Sequence, residues 1–301
     1  MKSAKSESAK FIKSYRIDAP ASFRLHAIDC ADRGDLDKDA ARAMLADEIE
    51  RLAGLQELLY AEDKWALLIV LQGMDAAGKD GVIAHVMSGV NPQGCEVHSF
   101  KRPSPEELDH NFLWRSARRL PGRGRIGIFN RSYYEEALVV RLHPHLLRAQ
   151  KIPESLIGQS IWKERFEDIC AFERHLTRNG VRVLKFFLHL SKEEQRRRFL
   201  DRLDEPAKRW KFSMDDVNER KRWDDYQAAY EEMIRATSTD IAPWYVVPAD
   251  HKWFTRLVVA SVVIETLEGL ELHFPRVGAG VLREMRKVRE ALEAEAPRRK
   301  K

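Results

Sequence analysis

The chain has 301 residues, of which 44% are hydrophobic and 33% charged, with a net charge of +5. This apolar content supports one large α/β core, and 15 glycines and 12 prolines exclude a fibrous or low-complexity chain. Cys30, Cys95 and Cys170 suit neither a disulfide framework nor metal-ligand spacing, and the lysine-bearing start (Lys2, Lys5, Lys10, Lys13) has no apolar h-region, so a cytoplasmic protein with no membrane association is expected.

Residues 1–35 lack periodicity and read as an N-terminal arm on the surface or on a partner subunit. From Asp37, apolar residues at Leu45, Ile49, Leu52, Leu55 and Leu59 predict a helix to about Ala61. The apolar run from Ala66 to Leu71 predicts a strand that stops at a glycine. Gly73 to Lys79 then fit the start of the phosphate-loop pattern G-x-x-x-x-G-K-[ST], with Asp80 in place of Ser or Thr. Such a loop turns successive N–H groups into one concavity at a helix N-terminus, where Lys79 adds a cation. Gly73, Ala76, Ala77, Gly78, Lys79 and Asp80 are therefore candidate phosphate binders. Asp75 would repel phosphate unless a metal ion intervenes or it faces the acceptor; Asp80 reads as an N-cap or as a source of charge for that metal.

Downstream, the pattern predicts a helix over Asp80–Gly89, a strand over Glu96–Phe100 and a helix from the Ser104/Glu107 capping box through Arg119. A third strand, Arg125–Phe129, runs into Asn130-Arg131-Ser132-Tyr133-Tyr134-Glu135-Glu136, where phosphate-loop enzymes place a second metal-binding acid. The acid stays open between Glu135 and Glu136, and the two tyrosines read as packing. A helix from Pro153 to Asn179, a strand over Val181–Leu190, an arginine-rich helix stopped by Pro206, a charged helix over Met214–Thr237, a strand over Trp244–Val247 and an amphipathic helix over Lys252–Glu268 complete the series. Alternating strands and helices predict a three-layer α/β fold around a five-stranded parallel sheet, with ligands at the carboxyl ends of the strands. His143 and His189 read as structural histidines.

Two basic clusters stand out. Arg115, Arg118, Arg119, Arg123 and Arg125 could line a groove for a polyanion. Arg196, Arg197, Arg198 and Arg202 precede Lys208, Arg209 and Lys211 around Pro206. Glu193 and Glu194 can pair with Arg197 and Arg198 on a solvated face, whereas the residues after the proline have no such partners and read as a lid supplying cations to a transferring phosphoryl group.

LQGMDAAGKDG (71–81), FNRSYYEEALVVR (129–141), FFLHLSKEEQRRRFLDRLDEPAKRWKF (186–212) and TSTDIAPWYVVPAD (237–250) together resemble the polyphosphate kinase 2 family over roughly residues 37–275. The resemblance implies a phosphate-loop kinase fold with a helical lid at about 192–215, like that of nucleoside monophosphate kinases. It divides the chain into the arm (1–35), a phosphotransferase domain (36–275) and a charged tail (276–301). It also implies reversible phosphoryl transfer between inorganic polyphosphate and nucleotides, AMP and ADP both being accepted, with Mg2+ (Mn2+ as a substitute). Asp75, Lys79, Arg131, Glu136 and Arg209 are then the catalytic candidates, Asp75 and Glu136 hold the metal, and Arg198, Lys208 and Lys211 join the phosphate binders. A homo-oligomer is expected. Competing readings are an ATP-dependent nucleoside or nucleotide kinase, which leaves the extra arginines idle, and a nucleic-acid-binding switch, against which the lack of an aromatic platform argues.

Overall fold

A computed structural model describes residues 11–295; Lys2, Lys5, Lys10 and the basic end from Pro297 lie outside them. Helix α1 (Lys38–Glu62) opens on Asp37, whose carboxylate accepts from the N–H groups of Asp39 and Ala40, and buries Leu45, Leu52 and Leu59. Strand β1 (Ala66–Gln72) is buried along its whole length. Leu67, Ile69 and Leu71 enter one core and Leu68 and Val70 the other, so a strand covered on both faces reads as an unbroken apolar run.

The other strands and the remaining helices of seven or more residues are α2 (Lys79–Val86), β2 (Cys95–Ser99), β3 (Ile126–Asn130), α3 (Ile161–Arg178), β4 (Val181–His189), α4 (Lys192–Asp204), α5 (Met214–Arg220), α6 (Trp223–Thr237), β5 (Trp244–Pro248), α7 (Lys252–Glu268) and α8 (Ala279–Ala294). The strands form one sheet in the order β2-β3-β1-β4-β5, with every pair parallel. One core joins β1 to α1, α2 and α7; the other joins it to α3, α6 and the Tyr133–Tyr134 turn. The expected three-layer α/β architecture is present, with β1 at its centre.

Several local expectations change. The Ser104/Glu107 capping box forms, but its helix spans only Pro105–Leu108; the Asn111 side chain accepts from the Leu113 N–H and opens a separate turn, Trp114–Ala117. The helix expected from Pro153 starts at Ile161, after a 3-10 turn (Glu154–Leu156) and Gly158. The long charged helix divides between Arg220 and Trp223. Helix α7 buries eleven of its residues and is a core element rather than an amphipathic one.

The arm also has a different place. Phe11 and Tyr15 set their rings edge-on to Phe254 at 5.5 and 6.0 Å, and the Ile17 N–H donates to Trp244 O at 2.9 Å. Residues 11–25 therefore pack on the chain's own core beside β5, because Phe11, Tyr15, Ile17, Phe23 and Leu25 are all buried there. No helix of the described residues is long and apolar enough to cross a membrane.

Candidate active site

Parallel pairing brings Gln72, Asn130, His189 and Pro248, the last residues of β1, β3, β4 and β5, to one edge of the sheet. A cleft of about 740 Å³ opens there, lined by the loop from Asp75 to Gly81 together with side chains from β2, β3, α4, α5 and α7. Gly73 has a φ of +154°, and a Cβ built on it would meet Leu188 O at 3.0 Å and the Ala77 side chain at 3.2 Å, so only glycine lets the chain turn off β1 here. Gly78 (φ +106°) ends the loop and serves as N-cap of α2. Asp80 is therefore not the cap: it lies in the first turn of α2, accepts from Asn130 Nδ2 at 2.7 Å and lines the cleft.

The Lys79 ammonium is buried at the loop's centre, donating to Gly73 O at 2.6 Å and Met74 O at 3.2 Å. Burial, helped by the nearby Arg131 guanidinium, lowers its pKa to about 8 despite Asp75, Glu135 and Asp80. Arg131 itself sits in the left-handed region (φ +62°), an unusual place for a side-chain-bearing residue that aims the guanidinium into the cleft. It pairs with Asp75, and at 3.1 Å with Glu135. Glu135 before all else raises its pKa, so it stays cationic.

Arg198 has a role that spacing concealed. It pairs with Glu194, as i to i+4 spacing allows, at 2.7 Å, yet it turns inward rather than decorating a solvated face. Its two terminal nitrogens donate to the carbonyls of Ala76, Ala77, Ala249 and Asp250 at 2.6–3.1 Å. Gln195 Nε2 donates to Asp75 O at 2.9 Å. Helix α4 thus clamps the phosphate loop from behind. Arg196 and Arg197 remain on the solvated face, paired with Glu193 and Glu194.

Glu136 requires a correction. It lies in the 3-10 turn Tyr133–Ala137, is 6% exposed and does not line the cleft. Gln150 Nε2 donates to it at 2.7 Å and Arg165 Nε lies 3.2 Å from its other oxygen, while burial pushes the carboxyl up. It therefore lies away from the cleft, and Glu135, which pairs with Arg131, does not line the cleft either. The carboxylates that reach the cleft are Asp75, Asp80, Asp201 and Asp216. Burial first, and then Asp75, raise the Asp216 carboxyl pKa.

The segment expected to form a lid consists of α4 and the 3-10 stretch Pro206–Lys211. Lys208, Trp210 and Lys211 line the cleft, and Arg209 does not: its Nε donates to Leu203 O at 2.8 Å. Lys208 has the partner that its sequence neighbourhood did not suggest, Glu205. Lys211 Nζ rests 5.1 Å from the centre of the Trp210 ring.

The arginine cluster before β3 does not form one groove. Arg123 donates to Lys64 O and Asn179 O at the opposite, amino-terminal edge of the sheet, Arg125 stacks on Tyr60, Arg115 on Phe100 and Arg118 on Trp114. The cleft takes its further cations from Lys101, Arg202, Lys252 and Arg256. The last two open α7 four residues apart at the end of a strand, a signal present in the sequence but hidden by the apolar helix that follows. Tyr133 and Tyr134 are packing residues whose hydroxyls donate to the buried Glu173. His189 is buried, which lowers its pKa to about 4, and His143 lies 3.0 Å from Glu219.

Residues 35–275 match the model of the family described as polyphosphate kinase 2. An ADP-polyphosphate phosphotransferase of Rhodopseudomonas palustris is 53% identical over 256 residues, covering 85% of this chain and 89% of that protein. An AMP/ADP-polyphosphate phosphotransferase of Meiothermus ruber is 46% identical, covering 88% and 96%. The crystal structure of polyphosphate kinase 2 from Arthrobacter aurescens superposes with a TM-score of 0.85 at 38% identity, over 92% of this chain and 96% of that one. The chain belongs to the polyphosphate kinase 2 family.

Proposed function

We propose that the chain moves phosphoryl groups reversibly between inorganic polyphosphate and adenine nucleotides, with AMP and ADP both serving as acceptors. The observation that carries this reading is the cation distribution. Lys79, Arg131, Lys101, Arg202, Lys208, Lys211, Lys252 and Arg256 line one cleft, where they outnumber the carboxylates Asp75, Asp80, Asp201 and Asp216. A long polyanion needs such a track for the reason a nucleic-acid backbone does.

The loop N–H groups and Lys79 hold the phosphate at the floor, and α4 holds the loop through Arg198 and Gln195. Arg131 neutralises Asp75 and presents its guanidinium where charge is handed from donor to acceptor. Lys208 and Lys211 face the transferred group from the lid, and Arg209 joins them when the lid moves. No histidine lines the cleft among the described residues. None is needed, because acceptor phosphates are ionised near neutral pH and phosphoryl transfer asks for position and charge neutralisation rather than a strong base.

The donor set suits Mg2+, which uses one or two carboxylates and takes its other ligands from phosphate and water. Asp75 and Asp80 are the loop carboxylates that would hold it or Mn2+, and no cluster of three or more His, Cys, Asp or Glu that could hold a metal occurs among the described residues. Bound there, the ion would offset phosphate charge and align the two chains. The three cysteines are free, which suits a reducing cytoplasm.

The test is incubation of the purified protein with Mg2+, long-chain polyphosphate and either AMP or ADP. ADP from the first mixture and ATP from the second are expected, and EDTA should stop both. Absence of product in both mixtures, with phosphorylation only when ATP is the donor, would overturn the reading in favour of an ordinary kinase.

A further inference from the structure

The phosphate loop is held in a shape that its own residues do not favour. Ala76 has a φ of +64°, in the left-handed region that a side-chain-bearing residue avoids unless its surroundings impose it. The constraint comes from α4. Gln195 Nε2 donates to Asp75 O at 2.9 Å, and Arg198 Nη1 donates to Ala76 O at 2.9 Å and Ala77 O at 3.1 Å, so successive loop carbonyls are tied to one helix. A trans peptide sets its N–H opposite its C=O. Holding Asp75 O and Ala77 O against α4 therefore turns the N–H groups of Ala76 and Gly78 to the other side of the loop.

Arg198 has no donor left for a phosphate. Its Nε donates to Glu194 at 2.7 Å and its Nη2 to Ala249 O at 2.6 Å and Asp250 O at 3.1 Å, so with the two loop carbonyls every N–H of the guanidinium is committed. Gln195 is buried and does not line the cleft. Arg220 of α5 donates to Gln195 Oε1 and to Lys192 O, both at 2.8 Å, which leaves the amide nitrogen of Gln195 facing Asp75 O. We infer that Arg198 and Gln195 are positioning residues of the phosphate loop and not phosphate ligands: they hold Ala76 left-handed and keep the loop N–H groups open to phosphate before it arrives. Arg198, which the family resemblance places among the phosphate binders, acts through the loop carbonyls instead. Any phosphate chain entering the loop meets this arrangement, so it rests on the phosphotransfer reading only as far as the loop binds phosphate.

Calorimetric titration of the full chain with ATP and with long-chain polyphosphate, in EDTA over a series of salt concentrations, tests this. Arg198→Lys should weaken binding roughly 10-fold, about the worth of one hydrogen bond to a charged group, although it keeps the charge, because an ammonium cannot span the carbonyls that the planar guanidinium bridges. Arg198→Met should weaken binding while the slope of log affinity against log salt stays that of the wild type, since no phosphate contact is lost. Gln195→Met should weaken binding as well, and adding Ala76→Gly should recover most of that loss, because glycine takes the left-handed conformation without support. Should Arg198→Met not fold, the Gln195 pair decides. Wild-type affinity in Arg198→Lys, or a slope lower by about one in Arg198→Met, would make Arg198 a phosphate ligand and overturn the inference. Wild-type affinity in Gln195→Met, absence of rescue by Ala76→Gly, or binding of neither probe by the wild type would overturn it too. Binding of ATP without binding of polyphosphate speaks against the phosphotransfer reading alone, and ATP then carries the comparison.

Discussion

The floor and the lid of the cleft are both built from basic residues, yet they are held in opposite ways. On the floor, Lys79 and Arg198 are buried, and the loop between them is fixed by positive-φ glycines at each end and by side-chain donors from α4. In the lid, Trp210 is 77% exposed, and among the described residues the side chains of Lys208, Arg209 and Trp210 have no hydrogen bond or ion pair reaching beyond 203–211; the longer ties run from Arg202 to Lys211 O and Asp216. A preorganised floor would hold phosphate without reorganising, from the ground state through to the transition state. A loosely held lid can reserve its cations for the moment when charge develops. The division of labour is therefore visible in burial alone.

Removing the floor cation should have the largest effect. Lys79→Ala is expected to lower kcat/KM by about 10³-fold, at the upper end of the loss on deleting one preorganised charge-stabilising donor. The melting temperature should not fall, because a buried ammonium is deleted along with its desolvation cost. Full retained activity would take the phosphate loop out of the mechanism.

Next in size is the support beneath the floor. Lys185 is fully buried on β4 and donates to Glu173 at 2.7 Å, Thr237 O at 2.6 Å and Tyr134 at 3.0 Å, while Tyr133 and Tyr134 donate to the same carboxylate. This network anchors the turn that follows Arg131. Lys185→Met should cost about 3–5 kcal/mol in urea denaturation because it strands the Glu173 charge, and Lys185→Met/Glu173→Leu should recover most of the loss. Lid substitutions should stay within roughly 0.5 kcal/mol. Equal destabilisation by lid and network variants would break the contrast.

The floor was far easier to read in the sequence than the lid. Gly73, Gly78 and Lys79 carry their geometry in their residue types, and β1 announces itself as an apolar run because it is covered on both faces. The position of Arg209 depends instead on how a short 3-10 stretch rotates, which residue type does not encode. Glu136 was misplaced for a related reason: Glu135 and Glu136 are adjacent in a one-turn 3-10 helix, and only tertiary partners, Arg131 for one and Arg165 for the other, decide which faces the loop. Arg198 showed its helical partner Glu194 but not the four carbonyls behind the phosphate loop, because those contacts span more than fifty residues. Lys252 and Arg256 join the site through β5, and the arm joins the core through Trp244, again across long sequence separations.

A smaller effect is expected at Arg209, whose side chain is tied to Leu203 O outside the cleft. If the lid delivers it during transfer, Arg209→Ala should reduce kcat by roughly 30-fold and leave KM within about threefold, since an interaction made only in the transition state lowers turnover and not ground-state affinity. A rise in KM with kcat unchanged would make the lid a second floor.

The smallest effect is a pH dependence that belongs to the floor. Burial lowers the Lys79 pKa to about 8, below the ordinary lysine value, so between those two values the unfolded chain holds a proton that the folded chain has released. Stability should accordingly rise with pH across that window. Phosphate binding runs the other way, because a bound polyanion favours the charged ammonium: affinity is full below pH 8 and falls as pH rises through it, approaching tenfold per unit. Polyphosphate ionises its chain groups well below this range, so its own charge does not change there. Titration of polyphosphate binding from pH 7 to 9.5 in EDTA isolates the lysine from any metal. Lys79→Arg should flatten the profile, since a guanidinium stays protonated throughout. An equally steep profile in that variant would move the titrating group off the floor, and a flat wild-type profile would show that the loop keeps Lys79 charged without its ligand.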